Sequence, residues 1–398
     1  MNIVKLIPAY KSIIWGGEKL KKYYGKQTDA SPLAETWELS LHKAGESMLP
    51  DGRYLSEVAT ESDFGENCKD FSFFPVLIKF IDANAKLSIQ VHPDDSYALE
   101  NENSLGKTEM WYIVEADEGA GIYLGLKNDI SRETFENAIK NNTLTDYLSF
   151  IPVKKGECYF IPSGTIHAIC EGCLIYEIQQ NSNVTYRVYD YGRKDMNGNE
   201  RELHVDKALA VSNLRKYECK KFESDVLGVS KYFNVRRLEV SGTRYCETNQ
   251  KSFCCITCVD GDGSIDGQDV HRGDSFFVPA GYGQYALSGN MTVIITDIRK
   301  YFINITASGN LTGGAIVDDN GEVITTASQV LDVSSEEESI ISLCNLLTNK
   351  VNMTNSDITE IIFQKGILTD ISKFSTDHQP LAKEKELLNT AICVAKTQ

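Results

Sequence analysis

The chain has 398 residues, 42% hydrophobic and 24% charged, with a formal net charge of -16. No apolar run approaches the roughly 18 residues of a membrane-spanning helix, so no membrane partner is expected. The acidic balance lacks the basic face that phosphate neutralisation demands, so nucleic acid is not expected as a partner either.

The opening stretch, MNIVKLIPAYKSIIWGGEKL, has no small-residue cleavage site after a sustained apolar core, so no signal peptide is expected. Eleven cysteines are scattered from 68 to 393. An odd, dispersed set does not form a secreted disulfide framework, and a cytoplasmic location with most cysteines as small buried hydrophobes fits better.

Along the chain, IPAYKSIIWGG reads as a strand and a glycine turn. EKLKKYYG and YLSEVATESDFG read as short helices, the second capped near Ser56. ETWELSLH alternates, and FPVLIKFIDA and KLSIQVHPDD follow as strands. In LSIQVHPDD, Leu87, Ile89 and Val91 alternate with Ser88, Gln90 and His92, so one face is apolar and the other polar. Asp94 and Asp95 open a short helix. EMWYIVEA and AGIYLGL are strands about a DEG turn. SRETFENAIKNNTLTDYLSF is a helical insertion with Ser131 as N-cap. ECYFIP, TIHAIC, LIYEIQ and TYRVYDYG are closely spaced short strands. After a helical piece at 205–215, strands resume over 230–300. The last hundred residues hold an acidic tract, SSEEES, and two helical patterns, IISLCNLLTNK and LAKEKELLNTAICVAK. Many short strands between Gly and Pro turns argue for small barrels or jelly rolls, not a parallel α/β sheet.

Two segments repeat. GECYFIPSGTIH (156–167) and GDSFFVPAGYGQ (273–284) share G-x5-P-x-G-x2, then end in His167 and Gln284. The pattern specifies a strand, a Pro turn, a glycine with freedom in φ and a residue projected from the next strand. It resembles the second motif of the cupin superfamily, whose histidine binds metal. The resemblance implies two barrels, with Gln284 marking the second as degenerate.

In the first barrel, Gln90 and His92 share a strand face, Glu109 opens EMWYIV and His167 projects from TIHAI. Nitrogen and oxygen donors of this kind suit zinc, one ion per chain, with iron, manganese or cobalt also acceptable. The bland alternative is separate polar residues on a solvated sheet face. The Cys170/Cys173 and Cys255/Cys258 pairs lie in apolar strands and read as core. His204 and His271 read as surface residues and His378 as loop.

Trp15–Gly17 (WGG), Glu35–Ser40 (ETWELS), LSIQVHPDD, Gly106–Ile113 (GKTEMWYI), IPSGTIHAI and Glu177–Arg193 (EIQQNSNVTYRVYDYGR) together resemble the class I mannose-6-phosphate isomerases, the short bacterial type above all, over about residues 1–300. The resemblance implies a zinc-dependent isomerase that interconverts mannose 6-phosphate and fructose 6-phosphate through a cis-enediolate. It places the metal ligands at His92, Glu109 and His167, with Gln90 as the fourth. It places the catalytic arginine at Arg187 and polar active-site residues at Lys107 and Glu177, either of which is a candidate for the base. A non-catalytic sugar-binding or regulatory cupin and an iron cupin oxygenase are the alternatives.

The expected fold is mainly β: two cupin jelly-roll barrels with helical insertions, plus a small α+β C-terminal region. The expected divisions are 1–228 (catalytic), 229–300 (degenerate barrel) and 301–398 (accessory). Tyr301–Ile324 also resembles the first hairpin of ROK sugar kinases. However, Ala307 stands at the expected acidic position and the remaining length is short for a two-lobed kinase. The region therefore reads as a truncated accessory domain without ATP chemistry, an ordinary hairpin being the alternative.

Overall fold

The computed structural model describes residues 1–194, 198–218, 225–308, 311–330, 336–351, 353 and 357–364. The helical pattern at 381–396 and His378 lie outside the described residues. The chain divides into two compact units, Met1–Leu227 with Val235–Asp297, and Gly228–Asn234 with Ile298–Gln398.

The first unit holds two β-barrels. The amino-terminal one is a sandwich of two antiparallel sheets. One sheet runs in the order Cys158–Ile161, Glu109–Ala116, Cys173–Gln180, Val76–Ala83, Glu35–Leu39, Ala9–Lys11. The other runs Leu148–Pro152, Gly121–Leu126, His167–Ile169, Ile89–Val91, Tyr186–Tyr189. Their inner faces close on one apolar cluster, in which Ile81, Trp111 and Ile113 of the first sheet meet Ile122, Leu124 and Ile169 of the second. Side chains of alternate positions interdigitate this way when two sheets stack face to face.

The outer face of the second sheet is covered too. Ile89, Val91, Ala168 and Val188 pack with Phe135, Ala138 and Ile139 of helix Arg132–Lys140 and with Ala208 and Leu209 of helix Val205–Val211. This explains why Ile89 and Val91 are apolar. Ser131 caps the first of these helices by accepting from the Thr134 N–H at 3.0 Å. Three local readings change. The expected helical insertion ends at Lys140, and Leu148–Pro152 is an edge strand. YLSEVATESDFG forms two one-turn helices, Leu55–Val58 and Glu61–Phe64, with Tyr54 rather than Ser56 at the first N-cap. Leu87 precedes its strand and turns into the inner cluster instead of joining Ile89 and Val91 outside.

The second barrel is built on Val4–Leu6, Ser275–Val278, Cys254–Ile265, Gly283–Asp297 and Asn234–Thr248. Its apolar core includes Ile256, Phe276, Leu287 and Val293. Gln284 is exposed and does not enter it. Cys254, Cys255 and Cys258 are buried, as are Cys170 and Cys173 in the first barrel. These thiols act as core residues.

A buried polar chain joins the two barrels. The Tyr176 hydroxyl donates to Thr257 (2.8 Å), Thr257 contacts Ser275 (2.9 Å), and Ser275 donates to Glu38 (2.9 Å), which is paired with Lys26 at 2.6 Å. Tyr176, Thr257, Ser275, Glu38 and Lys26 each find a partner in this network, which is what makes their burial tolerable.

The second unit carries a four-stranded sheet in the order Val323–Val330, Leu311–Asp318, Tyr301–Ser308, Ile358–Gln364, the last pair parallel, and helix Glu336–Lys350. Among the described residues no helix is long and apolar enough to cross a membrane.

Candidate metal centre and active site

Register across the two sheets of the first barrel arranges the site. On one sheet His167, Gln90 and Arg187 are consecutive cross-strand partners. On the other, Trp111, Glu177 and Lys79 are consecutive partners. All but His167 and Trp111 line one cavity of about 300 Å³, which Lys107 also lines. Because side chains alternate, one register fixes which three residues of each sheet face the interior.

Two turns bring the remaining groups in. Gly164, in the IPSG turn, has φ +82 and donates its N–H to the His92 carbonyl at 2.8 Å. Only glycine holds that backbone without strain, so the turn ties the His92 strand to the one that starts at His167. Gly106 lies so close to Asp94 that a Cβ would sit 2.5 Å from its carbonyl carbon. The next residue, Lys107, donates its N–H to Pro93 at 3.0 Å. Asp94 caps the following helix by accepting from the Tyr97 N–H at 2.9 Å, and Asp95 accepts from Gly106 (2.9 Å) and Gln180 (2.7 Å). The two aspartates therefore hold the turn and leave the cavity to others.

His92, Glu109 and His167 converge. Their ligand atoms all lie within 4.8 Å of one another, and all three are buried. This is the metal-capable cluster among the described residues. His92 Nδ1 is 2.8 Å from the Val184 carbonyl and His167 Nδ1 is 2.8 Å from the Thr165 carbonyl. Carbonyls only accept, so each Nδ1 carries the proton and each Nε2 is left as a bare lone pair. Those lone pairs face Glu109, at 3.4 Å from Oε2 and 3.3 Å from Oε1 respectively. Glu109 Oε1 is buried with no hydrogen-bond partner. Gln90 presents its amide 3.4 Å from His167 Nε2, and turning that amide over offers its oxygen to the same point. A buried cluster of acceptors with an orphaned carboxylate oxygen is what a divalent cation fits, and the carbonyl-anchored imidazoles are the usual outer support of such ligands.

The electrostatics agree. Burial, then the Lys107 ammonium, lowers the His167 pKa to about 4. The same causes, with His167 added, hold His92 well below the ordinary histidine value. Both rings stay neutral. Burial, then Glu177, pushes Glu109 up from the ordinary carboxylate value. Lys107 Nζ donates to Glu109 Oε2 at 2.7 Å and lies 3.0 Å from His92 Nε2.

Residues that sequence reasoning missed complete the site. Lys79 is ion-paired with Glu177 at 2.8 Å and lies 3.7 Å from Glu35. Trp111 Nε1 donates to Glu177 Oε1 at 2.7 Å. Burial opposes the charge of both partners, but Lys79 and Lys107 hold the Glu177 pKa down and Glu177 with Glu35 hold that of Lys79 up. The signal in the sequence was a lone lysine inside the apolar strand VLIKFIDA. Arg201 also lines the cavity. His204, read as a surface residue, instead accepts from the Arg187 N–H at 3.2 Å and packs on Tyr186 with ring centroids 6.1 Å apart. His271 is exposed, as expected.

Comparison with known proteins decides the family. Residues 3–117 match the family model for the phosphomannose isomerase type I catalytic domain, and residues 225–298 that for the mannose-6-phosphate isomerase cupin domain. The chain is 36% identical over 305 residues to mannose-6-phosphate isomerase of Streptococcus mutans, covering 72% of this chain and 95% of that one. The chain belongs to the type I phosphomannose isomerase family.

Within that family it is 34% identical over 309 residues to mannose-6-phosphate isomerase ManA of Bacillus subtilis, covering 73% of this chain and 97% of the relative. The crystal structure of mannose 6-phosphate isomerase from Bacillus subtilis superposes with a TM-score of 0.67 at 33% identity, over 74% of this chain and 99% of that one. The apo form from Salmonella typhimurium, at 16% identity, shares the fold with a TM-score of 0.61 over 74% of this chain and 99% of that one. Type I phosphomannose isomerases are metal-dependent aldose–ketose isomerases, and the His92/Glu109/His167 cluster gives this member a metal-capable centre.

Proposed function

We propose that this phosphomannose isomerase interconverts mannose 6-phosphate and fructose 6-phosphate on one divalent ion, zinc, held by His92, Glu109 and His167 with Gln90 as the fourth donor. The convergence of three buried ligand atoms within 4.8 Å, beside a cavity lined by Lys107, Glu177 and Arg187, carries this reading. Nitrogen and carboxylate donors with neutral imidazoles favour zinc among the common ions.

The reaction moves a proton between C1 and C2 through a cis-enediolate, and negative charge develops on oxygen. The ion, when bound, supplies Lewis acidity that stabilises this charge. Arg187 is the cross-strand neighbour of Gln90 and stays charged, so its guanidinium can hold the developing oxyanion. Its aim is set by Ser88 Oγ, 3.3 Å from Nε, and by the Glu202 carbonyl, 2.9 Å from Nη1. Lys107 and Glu177 are the two groups placed to move the proton. Lys79 and Trp111 hold Glu177 as a carboxylate of depressed basicity. With its two oxygens taken by Lys79 and Trp111, Glu177 has the role of fixing the Lys79 charge, which leaves Lys107, whose Nζ touches Glu109 Oε2 and His92 Nε2, as the proton carrier.

The test is turnover of mannose 6-phosphate to fructose 6-phosphate, measured with metal content before and after chelation. The expected result is loss of turnover with the metal and recovery when zinc is restored. Undiminished turnover in metal-free protein would overturn the metal-dependent mechanism.

A further inference from the structure

A chain of net charge -16 that takes a phosphate ester must collect cations locally. Four line the cavity: Lys79, Lys107, Arg187 and Arg201. Lys79 is committed to Glu177 and Glu35, and Lys107 to Glu109. Arg187 is the cross-strand partner of Gln90, the proposed fourth metal donor. Arg201 comes from a different segment, beyond the last strand of the sheet, and is built as an anchor. Its Nε donates to Asp190 Oδ2 at 2.7 Å and its Nη2 to Asp190 Oδ1 at 2.6 Å.

Asp190 is itself fixed. Its carboxylate is buried and also accepts from Arg193 Nη2, while the Arg193 N–H donates to the Asp190 carbonyl at 3.1 Å. The Arg193 guanidinium lies 5.3 Å from the Tyr191 ring centroid and donates to the Lys86 carbonyl. The two-pronged contact to Asp190 fixes the plane of the Arg201 fork and, among the described residues, leaves Nη1 as its donor for a ligand. Arg201 and Arg187 are like charges that line the same cavity and repel. An anion between them would relieve that repulsion. A preorganised guanidinium binds phosphate with little further loss of side-chain freedom.

We propose that Arg201, locked in place by Asp190, anchors the phosphate end of the substrate. The proposal rests on the isomerase reading above and adds the residue that holds the non-reacting end. The experiment compares wild type with Arg201→Met and Arg201→Lys. It measures KM and kcat for mannose 6-phosphate and the inhibition constant for inorganic phosphate as a competing probe. Arg201→Met is expected to raise KM and the phosphate inhibition constant together, each by about 10- to 100-fold, with a smaller change in kcat. Arg201→Lys keeps a charge without the fork and is expected to fall between the two. Should the methionine variant not fold, the lysine variant carries the test, with both constants raised. Unchanged KM and phosphate inhibition in a folded variant, or a loss confined to kcat, would overturn the proposal while wild-type turnover left the isomerase reading standing. A wild type that binds phosphate but does not isomerise mannose 6-phosphate would overturn the isomerase reading and this assignment with it.

Discussion

Lys79 and Glu177 are direct cross-strand partners, and their charges meet at 2.8 Å in the barrel interior. The lysine side chain is 10% exposed and the glutamate 2%. Each charge is tolerated there because of the other, and Trp111 on the next strand satisfies the second glutamate oxygen.

Removing one partner should therefore cost more than removing both. Lys79→Met leaves the Glu177 carboxylate buried without its cation and is expected to destabilise by about 3–5 kcal/mol. Lys79→Met combined with Glu177→Gln keeps the amide oxygen for Trp111 and should cost clearly less than the sum of the single changes. Urea unfolding of the three variants measures this. Additive losses would show that the two charges are independent.

The metal ligands and the arginine should separate in assay. His167→Ala removes one bare Nε2 from the cluster, and metal content and turnover are expected to fall together, turnover by more than about 100-fold. Arg187→Ala leaves the three ligands in place and should retain the metal while losing turnover. Metal analysis beside steady-state kinetics checks both, and normal turnover by Arg187→Ala would remove Arg187 from the mechanism.

The Asp190 anchor should show in acid. Burial raises its pKa, but Arg201 and Arg193 outweigh that and hold it below the ordinary 3.8. A depressed folded-state pKa contributes stability that is present above the unfolded value and lost as pH falls through the folded one. Asp190→Asn is thus expected to be destabilised by about 1–3 kcal/mol at pH 7. Its deficit against wild type should shrink as pH falls below 3.8. Melting curves from pH 7 downward measure the difference, and a pH-independent deficit would mean the loss is one of packing.

Every residue proposed for binding or chemistry lies in the first unit. The family relatives align over 72% and 73% of the chain. A chain ending at residue 300 should keep kcat and KM within about twofold. It loses the bond from the Lys231 N–H to Asp357, so some loss of thermal stability is expected beside intact kinetics. Loss of turnover in a truncation that folds would assign residues 301–398 a part in the reaction.

Much of this molecule was readable before its structure. Period-two alternation put Gln90 and His92 on one face and Ile89 and Val91 on the other, because adjacent side chains of a strand must point oppositely. The P-x-G turn announced His167, because few backbones other than glycine's hold that turn. The asymmetry of the repeat, His167 against Gln284, marked the second barrel as degenerate, and Gln284 is exposed there. What the tertiary structure alone decided is which distant strands are neighbours. Lys79, Trp111 and Glu177 are up to 98 positions apart in the chain and side by side in the sheet. His204 looked like a surface residue because nothing local shows that its ring folds onto Tyr186 and Arg187. Local sequence sets the direction in which each side chain points, since that depends on backbone geometry. Which charges then meet depends on strand order and register, which long-range packing selects.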